Sequence, residues 1–341
     1  MSTDMSRPRR LLFITSNQIG DAVLSTGVLN HLLVQEPDLR VTVVTGQVPA
    51  QLFEGLPNLD RLLTVRKRKR GGHWREIWKQ TVTRRWWRVV DMRRSALPWL
   101  LWARHRHVLP KDRRVHRVAM NASLVGLQEN PPPPRVCVRP EDEAAARKII
   151  PDGKMVLGLG PTANWPGKTW PIAYWKDLVE RLTGPGGAFD GASVALLGAP
   201  HEREAAAPLA AALGDRCLNL IGDAHLLVVQ AVLGRCHLYI GNDSGLMHMA
   251  ATAGVPTVGL FGPTDDRCYA PWSNHAVSVR TPETFKEWKD YMRRPDFDVA
   301  TTGSLMESLT PTAVEAAVLD LLKREQRPRP PKTSAAPGLE L

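Results

Sequence analysis

Short apolar runs alternate with amphipathic segments along most of the chain. In the first third, strand-like runs at 11–15 and 40–44 flank a segment at 21–34 whose apolar residues recur with helical spacing. Further strands are predicted at 62–65, 88–92 and 107–109, and helices at 74–83 and 96–103. Apolar strands separated by helices are typical of a parallel sheet that is buried on both faces.

The second half of the chain repeats this alternation. Strands are predicted at 155–160 and 193–198, and helices at 141–150, 172–182, 201–213, 226–233 and from Thr310-Pro311 to about 324. Four consecutive prolines at 131–134 cannot continue a helix or a central strand, so we interpret them as a stiff linker. The pattern therefore predicts an α/β protein with a first domain at 1–134, a second at 135–325 and a disordered tail at 326–341.

The clearest single unit lies between residues 236 and 266. An apolar run at 237–241 ends in the turn Asn242-Asp243-Ser244-Gly245, and a segment with helical spacing and another strand follow. Asp243 or Ser244 would be the N-cap of this helix. The helix N-terminus would then lie at the carboxyl end of a strand, where backbone N–H groups and the helix dipole favour an anion such as a diphosphate.

A histidine in this helix points to the same corner. His248 lies four residues after Ser244, so its ring can lie on the helix face of the N-terminal turn, near a bound phosphate. Many α/β proteins, however, carry glycine and serine in such a turn only to form it. A single histidine on an apolar helix is also often a hydrogen-bonded structural residue, so both interpretations stay open at this point.

Three motifs occur in a fixed order along the chain. Gly20-Asp21 follows the first predicted strand, Lys168-Thr169-Trp170-Pro171 has the form K-x-W-P, and the run from Gly241 to Asp265 contains D-S-G-x-x-H followed by V-P-T-V-G-L-F-G-P-T-D. Together they resemble glycosyltransferase family 9, the heptosyltransferase-type enzymes, over about residues 11–322. The resemblance implies the GT-B fold, in which two Rossmann-like domains with parallel sheets face each other across a cleft. It also implies a first domain for the acceptor and a second for the nucleotide sugar.

The composition of the chain indicates a globular protein. A chain of 341 residues can bury two separate cores, and 43% hydrophobic with 23% charged residues is ordinary for a globular protein. No apolar run approaches the roughly 20 residues that span a bilayer, and no secretory apolar core follows the basic start, so we expect a cytoplasmic location. The cysteines are scattered and predict neither a zinc site nor a disulfide framework: Cys137, Cys217, Cys236 and Cys268.

The net charge of +11 comes from one region of the chain. Residues 61–117 contain 19 Lys and Arg but only 3 acidic residues, and tryptophans stand between the arginines, as in Arg84-Arg85-Trp86-Trp87-Arg88. Such a run is usually a solvated face. It also suits an anionic partner, either nucleic acid or the inner leaflet of the cytoplasmic membrane with its acidic glycolipids.

We favour the glycolipid surface for this basic region and expect no nucleic-acid partner. Tryptophan together with arginine suits a membrane–water boundary, and the acceptors of the family that the chain resembles are usually lipid-linked sugars. The protein would then associate peripherally with the inner face of the membrane. The candidate residues for the acceptor or membrane surface are Arg66, Lys67, Arg68, Lys69, Arg70, Arg93 and Arg94.

The resemblance assigns two catalytic residues. Asp21 corresponds to the family's general base, which takes the proton of the acceptor hydroxyl; from the residues alone, an N-cap of the first helix is the simpler role. Lys168 corresponds to the lysine that stabilises the departing diphosphate without a metal ion, although a single lysine is commonly just a surface residue. Adjacent Asp265-Asp266 could suggest a metal pair, but we interpret them as structural and expect no metal and no cofactor besides the donor.

The resemblance also assigns the donor-binding residues. Backbone groups of Ser244 and Gly245 would contact phosphate, His248 the sugar or phosphate, and Glu202 the ribose hydroxyls, although Glu202 could equally satisfy a helix dipole. The carboxylate of Asp243 would repel a neighbouring diphosphate, unless Asp243 capped the helix or bound sugar hydroxyls. The full set of donor-binding candidates is Gly20, Thr162, Asn164, Glu202, Asp243, Ser244, Gly245 and His248.

The resulting hypothesis is an inverting, metal-independent glycosyltransferase. It would move a heptose-like sugar from a nucleotide diphosphate, with ADP-heptose as the favoured donor, to a lipid-linked glycan such as the lipopolysaccharide core. Two alternatives stay open: a nucleotide-sugar epimerase of GT-B architecture, and a non-catalytic basic protein that binds nucleic acid or an anionic membrane. The basic, tryptophan-rich region speaks mildly against the epimerase, which needs no acceptor.

Overall fold

The computed structural model describes residues 8–66, 71–111, 115–222 and 224–326, and it contains two parallel sheets, one on each side of residues 131–134. The predicted tail beyond residue 326 and the basic residues Lys67, Arg68, Lys69 and Arg70 lie outside this described part. Within it, none of the helices is long and apolar enough to cross a membrane.

The first domain contains five strands: β1 (Arg10–Ile14), β2 (Arg40–Gly46), β3 (Leu59–Val65), β4 (Arg85–Asp91) and β5 (Trp102–Val108). They are parallel in the order β3-β2-β1-β4-β5, so β1 is central, with Leu12 opposite Thr42 and Val89. The helices are α1 (Ile19–Gln35), α2 (Gly72–Thr81) and α3 (Arg117–Ala122). The side chains of Leu11, Leu12, Phe13 and Ile14 are fully buried, because helices cover both faces of the central strand.

The second domain contains six strands: β6 (Val156–Gly160), β7 (Ser193–Gly198), β8 (Cys217–Ile221), β9 (Leu238–Asn242), β10 (Thr257–Phe261) and β11 (Ala276–Arg280). They are parallel in the order β11-β10-β9-β6-β7-β8. The helices are α4 (Pro140–Ile149), α5 (Ile172–Thr183), α6 (Arg203–Leu213), α7 (Leu226–Gly234), α8 (Gly245–Ala253), α9 (Asp266–Tyr269), α10 (Phe285–Tyr291) and α11 (Pro311–Gln326). Gly241 in β9 lies opposite Gly160 in β6, so the loops that follow these strands are neighbours.

Most of the predicted elements are confirmed, with bounds that differ by a few residues. The predicted helix at 96–103 is wrong: Leu97–Leu100 form one 3₁₀ turn, and Trp102 already begins β5. Exposed and half-buried residues alternate along β5, which is the period of a strand and not of a helix. The strand predicted at 107–109 is the end of β5. The sequence did not predict β8, β11, α3, α9 and α10.

The four prolines at 131–134 lie along α1. A methyl group at Gly27 of α1 would overlap the carbonyl oxygen of Pro132, so a glycine is needed where the chain crosses this helix. The Arg135 backbone N–H donates to the Thr26 hydroxyl (2.9 Å), and the Asn30 side chain donates to the Arg135 carbonyl (2.8 Å). The connection between the domains is therefore fixed to the first domain.

A second contact between the domains lies beside α7. The N–H of Leu226 donates to the side chain of Gln51 (2.8 Å), and His225 Nε2 lies 3.1 Å from Glu54. Leu52 and Leu226 belong to one buried apolar cluster that includes residues of both domains. The two domains are thus in direct contact here; we call the region between the carboxyl ends of their two sheets the cleft.

Candidate functional site

The N-termini of α1 and α8, one from each domain, meet across the cleft. A Cβ atom at Gly20 would lie 2.9 Å from His248 Cδ2 and 3.6 Å from the Cα of Gly245. A Cβ atom at Gly245 would lie 2.7 Å from Cβ of Ile19. Any larger residue at these two positions would force the neighbouring His248 or Ile19 side chain to shift. Two positive helix ends therefore converge at one point, which favours a bound anion.

Asp21 lies in the first turn of α1. The helix begins at Ile19 and Gln18 occupies the N-cap position, so the alternative role of Asp21 as N-cap is wrong. The Ser16 hydroxyl donates to Oδ2 of Asp21 (3.3 Å), and Nε of Arg117 lies 3.2 Å from Oδ1. The Asp21 side chain is 22% exposed and thus accessible from the cleft.

Lys168 forms an ion pair with Asp243. Its Nζ lies 2.7 Å from Oδ2 of Asp243, and the side chains are only 18% and 9% exposed. The alternative of an ordinary surface lysine is therefore wrong. The ion pair also offsets the expected repulsion between Asp243 and a diphosphate, because the charge of Lys168 neutralises this carboxylate. Of the two N-cap candidates, Ser244 occupies the position, but its buried hydroxyl makes no capping bond to the helix.

His248 is buried in α8 beside Gly20. Burial lowers the pKa of His248 to about 4, although the carboxylates of Asp243 and Asp21 act in the opposite direction. The ring is therefore neutral at pH 7. Its Nδ1 is buried and has no hydrogen-bond partner among the described residues, so it is available for one hydrogen bond to a ligand.

The loops after β6 and β7 bring two more candidates together around Gly198. A Cβ atom at Gly198 would lie 3.1 Å from Oε2 of Glu202 and 3.2 Å from Oγ1 of Thr162. The N–H of Ala199 donates to Glu202 (2.7 Å), while Oγ1 of Thr162 is buried without a partner in the described part of the chain. Asn164 lies exposed on the same loop as Thr162.

The basic candidates separate into two kinds. Arg93 is half-buried: its guanidinium lies 4.9 Å from the ring of Trp74 and donates to Oδ1 of Asn17 (3.1 Å), in the turn before α1. It therefore lines the cleft near Asp21. Arg94 is exposed and has φ of 54°, in the left-handed region that is unusual for arginine, and Arg66 is exposed at the end of β3.

Several residues at the cleft carry no sequence signal. Besides Arg117, they are His116 of the first domain and Tyr269, Ala270 and Trp272 of the second. Nε2 of His116 donates to the carbonyl of Ala270 (2.9 Å), and its ring lies 4.6 Å from that of Trp272. Burial lowers the pKa of His116 and raises that of Tyr269. No motif or period could have identified these residues, because their contacts join the two domains.

Both acids after β10 have partners within the second domain. Asp265 caps α9 by accepting from the N–H of Arg267 (3.2 Å), and Asp266 pairs with Arg280 (2.5 Å). Among the described residues, no group of three or more His, Cys, Asp and Glu side chains is arranged to hold a metal ion.

The chain is similar to known proteins along most of its length. The sequence profile described as glycosyltransferase family 9 (heptosyltransferase) matches residues 90–293. Lipopolysaccharide heptosyltransferase 2 of Salmonella typhimurium is 22% identical, over 93% of this chain and 99% of that protein.

Solved structures show the same fold. Escherichia coli ADP-heptose lps heptosyltransferase II superposes with a TM-score of 0.71 at 21% identity, covering 94% of this chain and 100% of that one. The E. coli heptosyltransferase WaaC, solved with ADP, has a TM-score of 0.67 at 17% identity, covering 92% of this chain and 99% of that one. The predicted GT-B fold, α/β with two parallel-sheet domains, is confirmed.

Proposed function

The chain belongs to glycosyltransferase family 9, and we propose that it transfers a heptose-like sugar from a nucleotide diphosphate, ADP-heptose, to a lipid-linked glycan such as the lipopolysaccharide core. The observation that carries this proposal is the meeting of Asp21 from one domain with Lys168, Asp243 and His248 from the other at the Gly20–Gly245 contact. Relatives that match this chain over nearly their whole length are heptosyltransferases, which supports heptose as the sugar.

The diphosphate of the donor would lie at the N-terminus of α8. Backbone N–H groups of Ser244 and Gly245 would bind its oxygens, with the N-terminus of α1 and Gly20 opposite. Lys168 would shift from Asp243 toward the phosphate or bridge both groups, because its Nζ can donate three hydrogen bonds. The neutral ring of His248 would donate or accept one hydrogen bond.

The nucleoside would lie toward β7. Glu202 offers a carboxylate that can accept from two ribose hydroxyls, and the unpaired hydroxyl of Thr162 lies beside it. Asn164 lies at the exposed rim of the same loop and would close over the donor.

Transfer would occur in a single displacement with inversion. The acceptor hydroxyl attacks the anomeric carbon while its proton passes to the carboxylate of Asp21, and the bond to the diphosphate oxygen breaks with its electron pair leaving on that oxygen. Lys168 and the two helix N-termini stabilise the negative charge on the leaving group, so we propose that no metal is needed. Arg117 holds the base oriented toward the cleft.

The acceptor side would use the basic residues of the first domain. Arg93 lies at the carboxyl edge of the sheet, beside the turn that carries Asp21, and suits a phosphate or carboxylate of an acidic glycolipid. Arg66 and Arg94 would add charge at the rim. We propose that the protein works in the cytoplasm at the inner face of the membrane and has no nucleic-acid partner.

Calorimetry on the full chain tests the donor site. We expect ADP and ADP-heptose to bind in preference to UDP and GDP, and Lys168→Ala to weaken ADP binding at least about tenfold, since a hydrogen bond to a charged group contributes about 1.5–3 kcal/mol. The half-buried Lys154, replaced by alanine, is the matched control and should bind as the wild type. Absence of any nucleotide binding would contradict the transferase proposal.

Two further measurements separate the alternatives. Transfer that is unchanged after treatment with a chelator supports the metal-independent mechanism, and transfer that is lost and restored by a metal ion contradicts it. An epimerase would convert the nucleotide sugar without any acceptor, whereas a transferase consumes it only when the glycan is added.

A further inference from the structure

Three of the 11 tryptophans are exposed, and they lie together on one flank of the first domain. Trp99 and Trp102 are 69% and 70% exposed, and Trp78 is 37% exposed. Leu100, which lies between them in the 3₁₀ turn before β5, is 59% exposed. We call Trp78, Trp99, Leu100 and Trp102 the tryptophan flank. Large apolar side chains that are exposed side by side mark a surface that contacts a partner.

The tryptophan flank is held in place by hydrogen bonds. Nε1 of Trp78 donates to the carbonyl of Leu100 (3.3 Å), which ties α2 to the turn. The Arg106 guanidinium donates to the carbonyls of Pro98 (2.8 Å) and Leu101 (3.0 Å), and it lies 5.9 Å from the ring of Trp99. The turn is therefore fixed to the edge strand, with Leu97 and Pro98 buried and Trp99 and Leu100 exposed.

Positive charge surrounds the tryptophan flank. Arg106 is exposed on β5 beside Trp99, and the guanidinium of Arg85 lies 5.6 Å from the Trp102 ring. Arg104 is exposed on the same strand, with its guanidinium 4.7 Å from the ring of Trp87. Residues 71–111 contain ten Lys and Arg but only two acidic residues, one of which, Asp91, is fully buried. An aromatic surface ringed by arginine is complementary to an anionic water–lipid boundary.

The same charges disfavour a second copy of the chain as the partner. β5 is the edge of its sheet and could pair with another β5. Such pairing would bring Arg104 and Arg106 of two copies close together, and like charges on paired strands are destabilising. Binding to a lipid surface does not bring the arginines of two copies together, so this repulsion does not arise.

The tryptophan flank is separate from the catalytic cleft. In the parallel pair β4 and β5, Trp102 lies opposite Arg85 at the amino end, and Val108 lies opposite Asp91 at the carboxyl end, where Arg93 and Asp21 lie. Six residues of strand separate the two ends, a distance of about 20 Å. Trp102 is therefore far from the catalytic groups, and Trp99 packs on Arg106, which is not one of them.

We propose that the tryptophan flank docks on an anionic lipid bilayer, with the indole rings at the water–lipid boundary and the arginines on the head groups. This docking rests on the proposed function, because its purpose is to bring the cleft to an acceptor that is anchored in the membrane. It also identifies the residues in contact with lipid, in a different place from the basic residues of the cleft.

Co-sedimentation of the full chain with lipid vesicles tests this proposal. We expect binding to vesicles of phosphatidylglycerol and phosphatidylethanolamine, weakening with added salt, and little binding to phosphatidylcholine. The double variant Trp99→Ser/Trp102→Ser should lower the partition coefficient on the order of tenfold. The control Val34→Ser/Val299→Ser removes two apolar side chains that are 60% and 52% exposed elsewhere and should bind as the wild type.

Two results would overturn the docking proposal. The first is unchanged vesicle binding by the tryptophan double variant. The second is absence of vesicle binding by the wild type; self-association that the double variant loses would then make a second copy the partner.

Transfer to a soluble, deacylated acceptor separates this proposal from the proposed function. The tryptophan double variant should retain that transfer. Vesicle binding through the flank without any transfer would support the docking proposal and contradict the transferase proposal. Transfer without vesicle binding would support the transferase proposal and contradict the docking proposal.

Discussion

The two domains build their shares of the site in different ways. In the second domain, side chains join the loops after β6 and β9: Lys168 pairs with Asp243, and Asn242 accepts from the N–H of Trp170 (3.2 Å). In the first domain, the turn before α1 is joined to its surroundings by arginines, since Arg117 pairs with Asp21 and Arg93 reaches Asn17. The proposed donor side is thus held by contacts among its own loops, whereas the proposed acceptor side is a charged surface around one carboxylate.

This difference suits the proposed substrates. Loops that are already joined to each other bind a nucleotide diphosphate without the entropic cost of ordering them. An acidic glycolipid is presented by a membrane, and positive charge attracts it over a longer range than hydrogen bonds do. The four predictions below act on one half of the site or on the contact between the halves.

The largest effect is expected at the base. Asp21→Asn should lower kcat about 10³-fold, because the amide cannot take the proton of the acceptor hydroxyl. ADP affinity should not change, since the residue belongs to the acceptor half. Turnover assays and calorimetry on the same preparation check both parts; a large loss of ADP affinity would instead place Asp21 in the donor pocket.

The contact between the halves should be sensitive to a single methyl group. Gly245→Ala puts a Cβ atom 2.7 Å from the Cβ of Ile19, so the two helices must separate at a cost of about 2–3 kcal/mol in the free energy of unfolding. Denaturant unfolding measures this loss. Gly303→Ala is the control, because no atom lies within 4 Å of its new Cβ and its φ is not positive. Equal stability of the two variants would show that the domains do not meet at this point in solution.

His248 should make the donor half sensitive to acid. Its pKa is about 4 in the folded chain and about 6.5 when unfolded, so the unfolded state binds more protons between these values and stability falls as pH drops from 6.5 toward 4. Between pH 7 and pH 5 the loss is about 2 kcal/mol. Urea unfolding at both pH values should show a smaller loss for His248→Asn than for the wild type. The same loss in both would contradict a buried neutral ring.

The smallest effect is expected at Arg117, a positioning residue. Arg117→Ala should lower kcat about tenfold with no change in the KM of the donor, because only the orientation of Asp21 is affected. Arg117→Lys keeps the charge and should restore part of the rate. A rise in donor KM, or no recovery with lysine, would point to another role, such as a contact with the leaving group.

The local sequence pattern determined much of this protein. Helical spacing, turn residues and apolar runs predicted the unit around Asp243 and His248, and Gly254 ends α8 in the left-handed conformation typical of a helix C-terminus. The three motifs, recognised by their resemblance, led to Asp21, Lys168 and Ser244. These features could be predicted from the sequence because each depends on neighbours within a few residues along the chain.

Only the tertiary structure decided how these residues are combined. It began β5 at Trp102, inside the helix predicted at 96–103 and well before the strand predicted at 107–109, since pairing with β4 outweighs local preference. It joined Lys168 to Asp243 and Arg117 to Asp21, and it placed Gly20 against His248 across the cleft. The physical reason is that these contacts depend on how the two sheets and their helices pack, and residues distant in sequence carry no periodic signal of being close in space.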